Sequence, residues 1–291
     1  MKLGIVTPVL TLLGRAHASW ETTADFGDVV TIACAAERFG YDHLTCSEHV
    51  ALPESVVARR GGRYFDPVAT LGALSAHTET IRLATFVLVL GYHHPLELAK
   101  RYGTLDLISG GRVTLGVGVG SLEEEFELLG AEFERRGDRG DDALRALRCS
   151  FGRRVPEYHG EFFDYSGFVV DPCGIQTDIP IWIGGRTHRS LRRAVELADG
   201  WAPFQLNVDE VARMLLVESQ TDAWGLRSTP IEVLLQPDPI DPLGNPDATA
   251  TTIRELRDAS ATGMNTRFVH HSLAHYLEQL EALPQLLANI G

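Results

Sequence analysis

Lysine is nearly absent from this chain. Lys2 and Lys100 stand against twenty-four arginines, and thirty-nine acidic residues bring the net charge to −13. Such a balance repels nucleic acid and anionic membrane as a whole, although a local basic patch can still hold an anionic ligand. Nucleic-acid motifs are missing as well. The arginine skew points to a GC-rich coding sequence and an actinobacterial source. Cysteine is scarce and unpatterned: Cys34, Cys46, Cys149 and Cys173 form no C-x-x-C and no metal-ligand spacing. Reduced thiols, no metal and a cytoplasmic location are therefore expected. Apolar runs are too short to span a bilayer. The opening MKLGIVTPVL only superficially resembles a signal peptide, being interrupted by Pro8 and followed by no small-residue cleavage pattern. Repeats, low-complexity tracts and linkers are absent too, so residues 1–291 read as one domain.

What is present is a regular alternation. Hydrophobic content of 44% and charged content of 22% are ordinary for a globular chain. Strands are expected near Leu3–Thr7, His43–Ser47, Arg82–Leu90, Val113–Gly120, Pro180–Gly184, Gly200–Phe204, Ile231–Leu235 and Thr266–His270. Amphipathic helices fall between them, at Phe26–Phe39, Asp66–His77, Pro95–Ser109, Leu122–Leu129, Asp141–Phe151, Arg189–Leu197, Val208–Trp224 and Thr249–Thr262. Strands alternating with helices argue for parallel βαβ units, and eight of them for a closed (β/α)8 TIM barrel. Val155–Asp178 breaks the rhythm with alternating aromatics and reads as a hairpin inserted before the fifth strand. Leu52–Tyr64, with Arg59, Arg60 and Arg63, reads as a mobile basic loop.

Two junctions carry the functional signal. In RVTLGVGVGSLEEEF, Gly116, Gly118 and Gly120 share one face of a strand. Such a face either packs closely on a neighbour or leaves bare backbone for a flat ligand. In IPIWIGGRTHRSLRRAVELADGW, Gly184-Gly185-Arg186-Thr187 leads from an apolar strand into a helix start, a seat for a phosphate or other anion or else a capped turn. Neither junction has the G-x-G-x-x-G or G-K-[ST] spacing of a nucleotide motif. Parallel barrels place chemistry at the carboxyl ends of their strands, where strand two ends in Cys46-Ser47-Glu48-His49. His49 is the expected acid or base, with Glu48 to orient it or to hydrogen-bond a heterocycle. Tyr92, His93 and His94 read as cap or solvent residues. Gln205, Asn207, Gln236, Asp238, His270 and His271 fall near later strand ends, where they could line a substrate pocket.

These phrases together, with AERFGYDHLTCSEHV and DPVATLGALSAHTETIRLATFVLVLGYHHPLELAKRYGTLDLISGG, resemble the luciferase-like monooxygenase family in its branch of deazaflavin F420-dependent oxidoreductases. The resemblance implies a barrel with the cofactor ring across the strand ends. Its backing is a strand-three bulge with a non-proline cis peptide, by position Phe86-Val87. Gly118, Val119, Gly120 and Ser121 would edge the cofactor, Glu48 and His49 would lie beside it, and Gly184, Gly185, Arg186 and Thr187 would hold its phosphate. Arg59, Arg60 and Arg63 are candidate partners for the anionic tail. Ser121 stands where sugar-phosphate dehydrogenases of the branch carry a glutamate, which weakens a sugar-phosphate reading. The expected activity is hydride transfer between F420 and a small organic substrate. The alternatives are an FMN-dependent monooxygenase served by a partner reductase and a non-catalytic F420-binding barrel. A homodimer is implied by the resemblance alone.

Overall fold

The computed structural model describes residues 1–14 and 17–290. Eight parallel strands close into a barrel: β1 (Lys2–Val6), β2 (His43–Cys46), β3 (Arg82–Val89), β4 (Val113–Gly118), β7 (Ile181–Gly184), β8 (Gly200–Ala202), β9 (Glu232–Leu235) and β10 (Gly263–Thr266). Each pairs with its neighbours in chain order, and β10 closes the ring by pairing Lys2 with Gly263 and Ile5 with Thr266. The fold is therefore a (β/α)8 TIM barrel. Around it lie α1 (Phe26–Arg38), α2 (Glu54–Arg60), α3 (Pro67–Ser75), α4 (Pro95–Ser109), α5 (Glu123–Leu128) and α6 (Arg136–Ser150). The ring continues with α7 (His188–Leu197), α8 (Val208–Glu218), α9 (Asp222–Gly225), α10 (Pro246–Asp258) and α11 (Leu273–Asn289).

Local chemistry explains the boundaries. Asp25 caps α1 by accepting the Asp28 N–H, and Pro95 opens α4, where its missing N–H costs nothing. Gly110 ends α4 in the left-handed region at φ 69°. The inner face of α1 buries Val29, Ile32, Ala33 and Ala36 against the sheet. At the amino-terminal end of the barrel His43 fills the interior, its Nε2 2.5 Å from Asn265 Oδ1, and a side chain at Gly4 would overlap its ring.

The hairpin before the fifth barrel strand is β5 (Tyr158–His159) against β6 (Asp164–Tyr165). Two buried carboxylates pin the insertion to the barrel. Asp142 of α6 accepts from the Tyr158 hydroxyl at 2.5 Å and from the Phe162 and Phe163 amides. Asp106 of α4 accepts from the Ile175 and Gln176 amides.

Three expectations need correction. The last barrel strand is Gly263–Thr266, ahead of the expected Thr266–His270, because the β-period continues into a segment that instead turns to pack on α11. Residues 54–60 form the short helix α2, which ends at Gly61 (φ 82°), rather than an open loop. The expected single helix over Val208–Trp224 is two, α8 and α9, with Ser219 and Thr221 ending one and capping the next.

Candidate active-site cleft

The third strand carries the feature that shapes the cleft. Its register against β4 shifts between Thr85 and Leu88, and the Phe86–Val87 peptide is cis. The bulge turns the Val87 side chain toward the neighbouring strands. A methyl group at Gly118 would come 3.0 Å from Val87 Cγ2, and one at Gly184 would come 2.7 Å from Val87 Cγ1. A methyl group at Gly116 would overlap the Thr85 carbonyl oxygen. Close strand packing thus accounts for Gly116 and Gly118, both buried, whereas Gly120 (φ 83°) stands half-buried at the cleft. Gly116 thus follows the close-packing alternative, while Gly118 and Gly120 also line the cleft.

All twelve residues expected to touch a cofactor line one cavity of about 580 Å³: Glu48, His49, Phe86, Val87, Gly118, Val119, Gly120, Ser121, Gly184, Gly185, Arg186 and Thr187. That volume lies in the ordinary range for small-molecule sites. Phe86, Val87 and Val89 give it an apolar wall, and Arg60, Arg135, Arg136, Arg186, Arg189 and Arg193 also line it. Among the described residues, the carboxylates lining it are Glu48 and Asp138. Arg135 pairs with Glu161, Arg189 with Asp138 and Arg193 with Asp141, which leaves Arg60, Arg136 and Arg186 without a carboxylate partner among the described residues. Arg59 and Arg63 are elsewhere: Arg59 does not line the cavity, and Arg63 donates to the carbonyls of Glu21 and Thr22 at 2.9 Å.

Glu48 and His49, adjacent in sequence, do different work. Glu48 Oε2 accepts from the Val89 amide at 2.7 Å and Oε1 meets His93 Nε2 at 2.8 Å, so this buried carboxylate ties down the end of β3. It does not orient His49. That part falls to Glu125 of α5, whose Oε2 lies 2.6 Å from His49 Nδ1 and 2.8 Å from the Tyr92 hydroxyl. Its Oε1 accepts from the Val50 and Ala51 amides at 2.6 and 3.2 Å. Burial pushes the Glu125 carboxyl up, but bonds from His49 and Tyr92, the His49 charge and the Ala51 amide outweigh it and hold the pKa below the ordinary 4.5. An ionised Glu125 makes His49 Nδ1 the donor. Nε2 has no hydrogen bond among the described residues, and the ring, packed edge-on against Tyr64, lines the cavity. It is the nitrogen open to a ligand.

Tyr92 and His93, expected as cap or solvent residues, each hold one of these two carboxylates; only His94 caps a helix, its Nδ1 accepting from the Leu96 amide at 3.1 Å. Burial lowers the His93 pKa, yet the Glu48 bond and the charges of Glu48 and Glu97 raise it above 6.5. A raised folded-state pKa stabilises fully below the unfolded value and loses that contribution as pH rises through the folded one. Thermal unfolding of wild type and His93→Gln should therefore differ most below pH 6.5 and converge as pH rises through the raised folded-state pKa of His93; a gap constant from pH 6 to 9 would remove the ion pair from the account.

At the second junction Thr187 caps α7, its Oγ1 accepting from the Ser190 amide while Ser190 Oγ accepts from the Thr187 amide. Gly185 at φ 129° brings the turn against Ser190, whose Cβ would lie 2.7 Å from a methyl there. Arg186 donates to Gln205 Oε1 at 3.0 Å, Arg189 pairs with Asp138, and Arg193 with Asp141. Ser121 Oγ receives Arg60 at 3.5 Å.

A second cavity of about 1150 Å³ opens at the ends of β8, β9 and β10 and shares Leu13, Ser47, Phe86 and Phe204 with the first. Gln205, Asn207, Gln236 and Asp238 line it as anticipated. His270 turns away, taking the Trp20 indole N–H on Nδ1 at 2.9 Å, and His271 does not line the cavity.

The profile of the luciferase-like monooxygenase family matches residues 1–223. The chain belongs to that family. An uncharacterised protein of Mycobacterium tuberculosis is 31% identical over 225 residues, covering 73% of this chain and 77% of the relative. Among solved structures, the monooxygenase RslO1 from Streptomyces bottropensis superposes with a TM-score of 0.82 at 20% identity, over 99% of both chains. The coenzyme F420-dependent tetrahydromethanopterin reductase of Methanopyrus kandleri gives 0.77 at 16%, covering 100% and 99%. The oxygenating constituent of 3,6-diketocamphane monooxygenase from Pseudomonas putida, solved with FMN, gives 0.76 at 17%, covering 100% and 98%. At these identities the structures speak for the fold. Family membership makes the chain an oxidoreductase of the luciferase-like type, and no helix among the described residues is long and apolar enough to cross a membrane.

Proposed function

We propose that the chain is a coenzyme F420-dependent oxidoreductase that moves a hydride between F420 and a small organic substrate. One observation carries the reading: an apolar wall made by Phe86, Val87 and Val89 shares one cavity with Arg60, Arg136 and Arg186, none of which pairs with a carboxylate among the described residues. A tricyclic ring needs the first, and a phosphodiester followed by a lactyl-oligoglutamate tail needs the second. FMN ends in a single phosphate, which the start of α7 and Arg186 would satisfy without Arg60 and Arg136.

When bound, F420 supplies two-electron hydride chemistry. The chain's own residues do the rest. Phe86 and Val87 would back the ring, Gly118 to Ser121 would edge it, and Gly184 to Thr187 with Arg60 and Arg136 would hold its anionic part. His49 Nε2 gives or takes a proton on the substrate, while Glu125 fixes the ring through Nδ1–H and stabilises the imidazolium.

Fluorescence titration of F420 and FMN against the purified chain tests the cofactor. F420 should bind at least tenfold more tightly, with an affinity that falls steeply with salt; equal or tighter FMN binding overturns the assignment in favour of the monooxygenase reading. A panel of reduced F420 with enones, imines, ketones and nitroaromatics then seeks turnover, and its complete absence beside tight F420 binding would favour a carrier barrel. With any accepted substrate, His49→Ala should slow single-turnover reaction about 10²–10⁴-fold; an unchanged rate would sink the role given to His49.

A further inference from the structure

The second cavity holds a cation without a partner among the described residues. Arg267 follows directly on β10 and lines the 1150 Å³ cavity, and its side chain makes no hydrogen bond or ion pair among the described residues. Its Nε is fully buried. Other arginines at the barrel mouth are engaged: Arg186 with Gln205, Arg189 with Asp138, Arg193 with Asp141, Arg63 with two carbonyls. Asp238, an exposed residue of the same cavity wall, acts on Arg267 through its charge but forms no ion pair with it. An Nε–H withdrawn from water and left unpaired is costly, and the planar guanidinium fork matches a carboxylate bidentately.

The cavity also carries four carboxylates, of which Glu210 accepts from the Asn207 amide and Asp241 from Gln279 and the Gly244 amide, while Asp238 and Glu255 are exposed; the rest of the wall is apolar or amide-bearing. Phe86, Phe204, Leu235 and Ile240 supply the hydrophobic part, and Gln236 and Asn207 the neutral polar part. Ser47 and Phe86 belong to both cavities, so a molecule lying along this wall reaches from Arg267 to the bulge of β3. We infer that Arg267 is a specificity residue that takes the carboxylate of a largely apolar substrate, leaving the other end of that substrate at the cleft of His49. The inference rests on reading that cleft as the redox site.

The test separates the two readings because it needs no cofactor. Isothermal titration of the full chain with 3-phenylpropanoate and with its uncharged amide should show the acid binding at least tenfold more tightly. Arg267→Gln should abolish the preference, Arg267→Lys should restore part of it, and thermal unfolding of each variant reports whether it folds. Equal affinity of acid and amide for wild type, no measurable binding of the acid, or a preference surviving in a folded Arg267→Gln would each overturn the inference. Carboxylate preference in a protein that fails to bind F420 would leave Arg267 standing and remove the proposed cofactor instead.

Discussion

Glu125→Gln should slow turnover about 10²–10⁴-fold and lower stability by about 3 kcal/mol, although the change replaces one atom. The reason is a count of donors. Four groups aim hydrogens at this carboxylate, the Val50 and Ala51 amides at Oε1 and His49 Nδ1 and the Tyr92 hydroxyl at Oε2. A glutamine offers one acceptor oxygen, so its NH2 group must face either the two backbone amides or the His49–Tyr92 pair. In the first arrangement the segment after β2 loses its anchor; in the second, His49 loses the bond that fixes its tautomer. The pH dependence distinguishes the ionised carboxylate from mere shape. With a pKa held below 4.5, Glu125 stabilises fully above that value and loses the contribution as pH falls through its folded-state pKa. The stability gap between wild type and variant should therefore be widest near neutrality and close in acid. A variant with wild-type turnover and an unchanged unfolding midpoint at pH 7 would refute the role assigned to Glu125.

The sequence is a good guide to the barrel and a poor one to this carboxylate, and the difference is physical. Strand and helix periods are local properties, so β3 and α4 lie within a residue of their expected bounds. Glu48 and His49 are neighbours, but their side chains leave the chain in different directions, and only the fold shows what each meets. Glu125 comes from 76 positions away, inside the run Glu123–Glu125 that looks like charge at a helix start. Glu125 alone of the three is buried, and the signal that separates it is faint: Phe126 beside it is also buried. Arg267 escaped notice because the eighth strand was expected three residues too late, which assigned the strand end to His270 and His271. The Phe86–Val87 bulge was placed by resemblance and by nothing in the local pattern.

A glycine-to-alanine pair should show how the bulge constrains its neighbour, with one substitution type giving opposite signs. Gly116→Ala drives a methyl group into the carbonyl oxygen of Thr85 on the adjoining strand. Neither partner can yield: the oxygen belongs to backbone held in register, with Thr85 opposite Leu115 on β4. The hydroxyl of Thr85 also donates to the Gly116 carbonyl at 2.7 Å, so separating the strands breaks that bond as well. The cost should exceed about 4 kcal/mol, a large share of the stability of an ordinary domain, and the variant should be recovered unfolded or insoluble. Gly72 lies inside α3, where an added methyl meets nothing within 4 Å and the backbone is already helical. Gly72→Ala should therefore stabilise by about 0.5–1 kcal/mol, since alanine loses less freedom on entering a helix. Chemical denaturation of the two variants beside wild type measures both effects. If Gly116→Ala unfolded at the wild-type midpoint, β3 and β4 could not be packed as closely as the bulge requires, and the wall of the cleft would have to be redrawn.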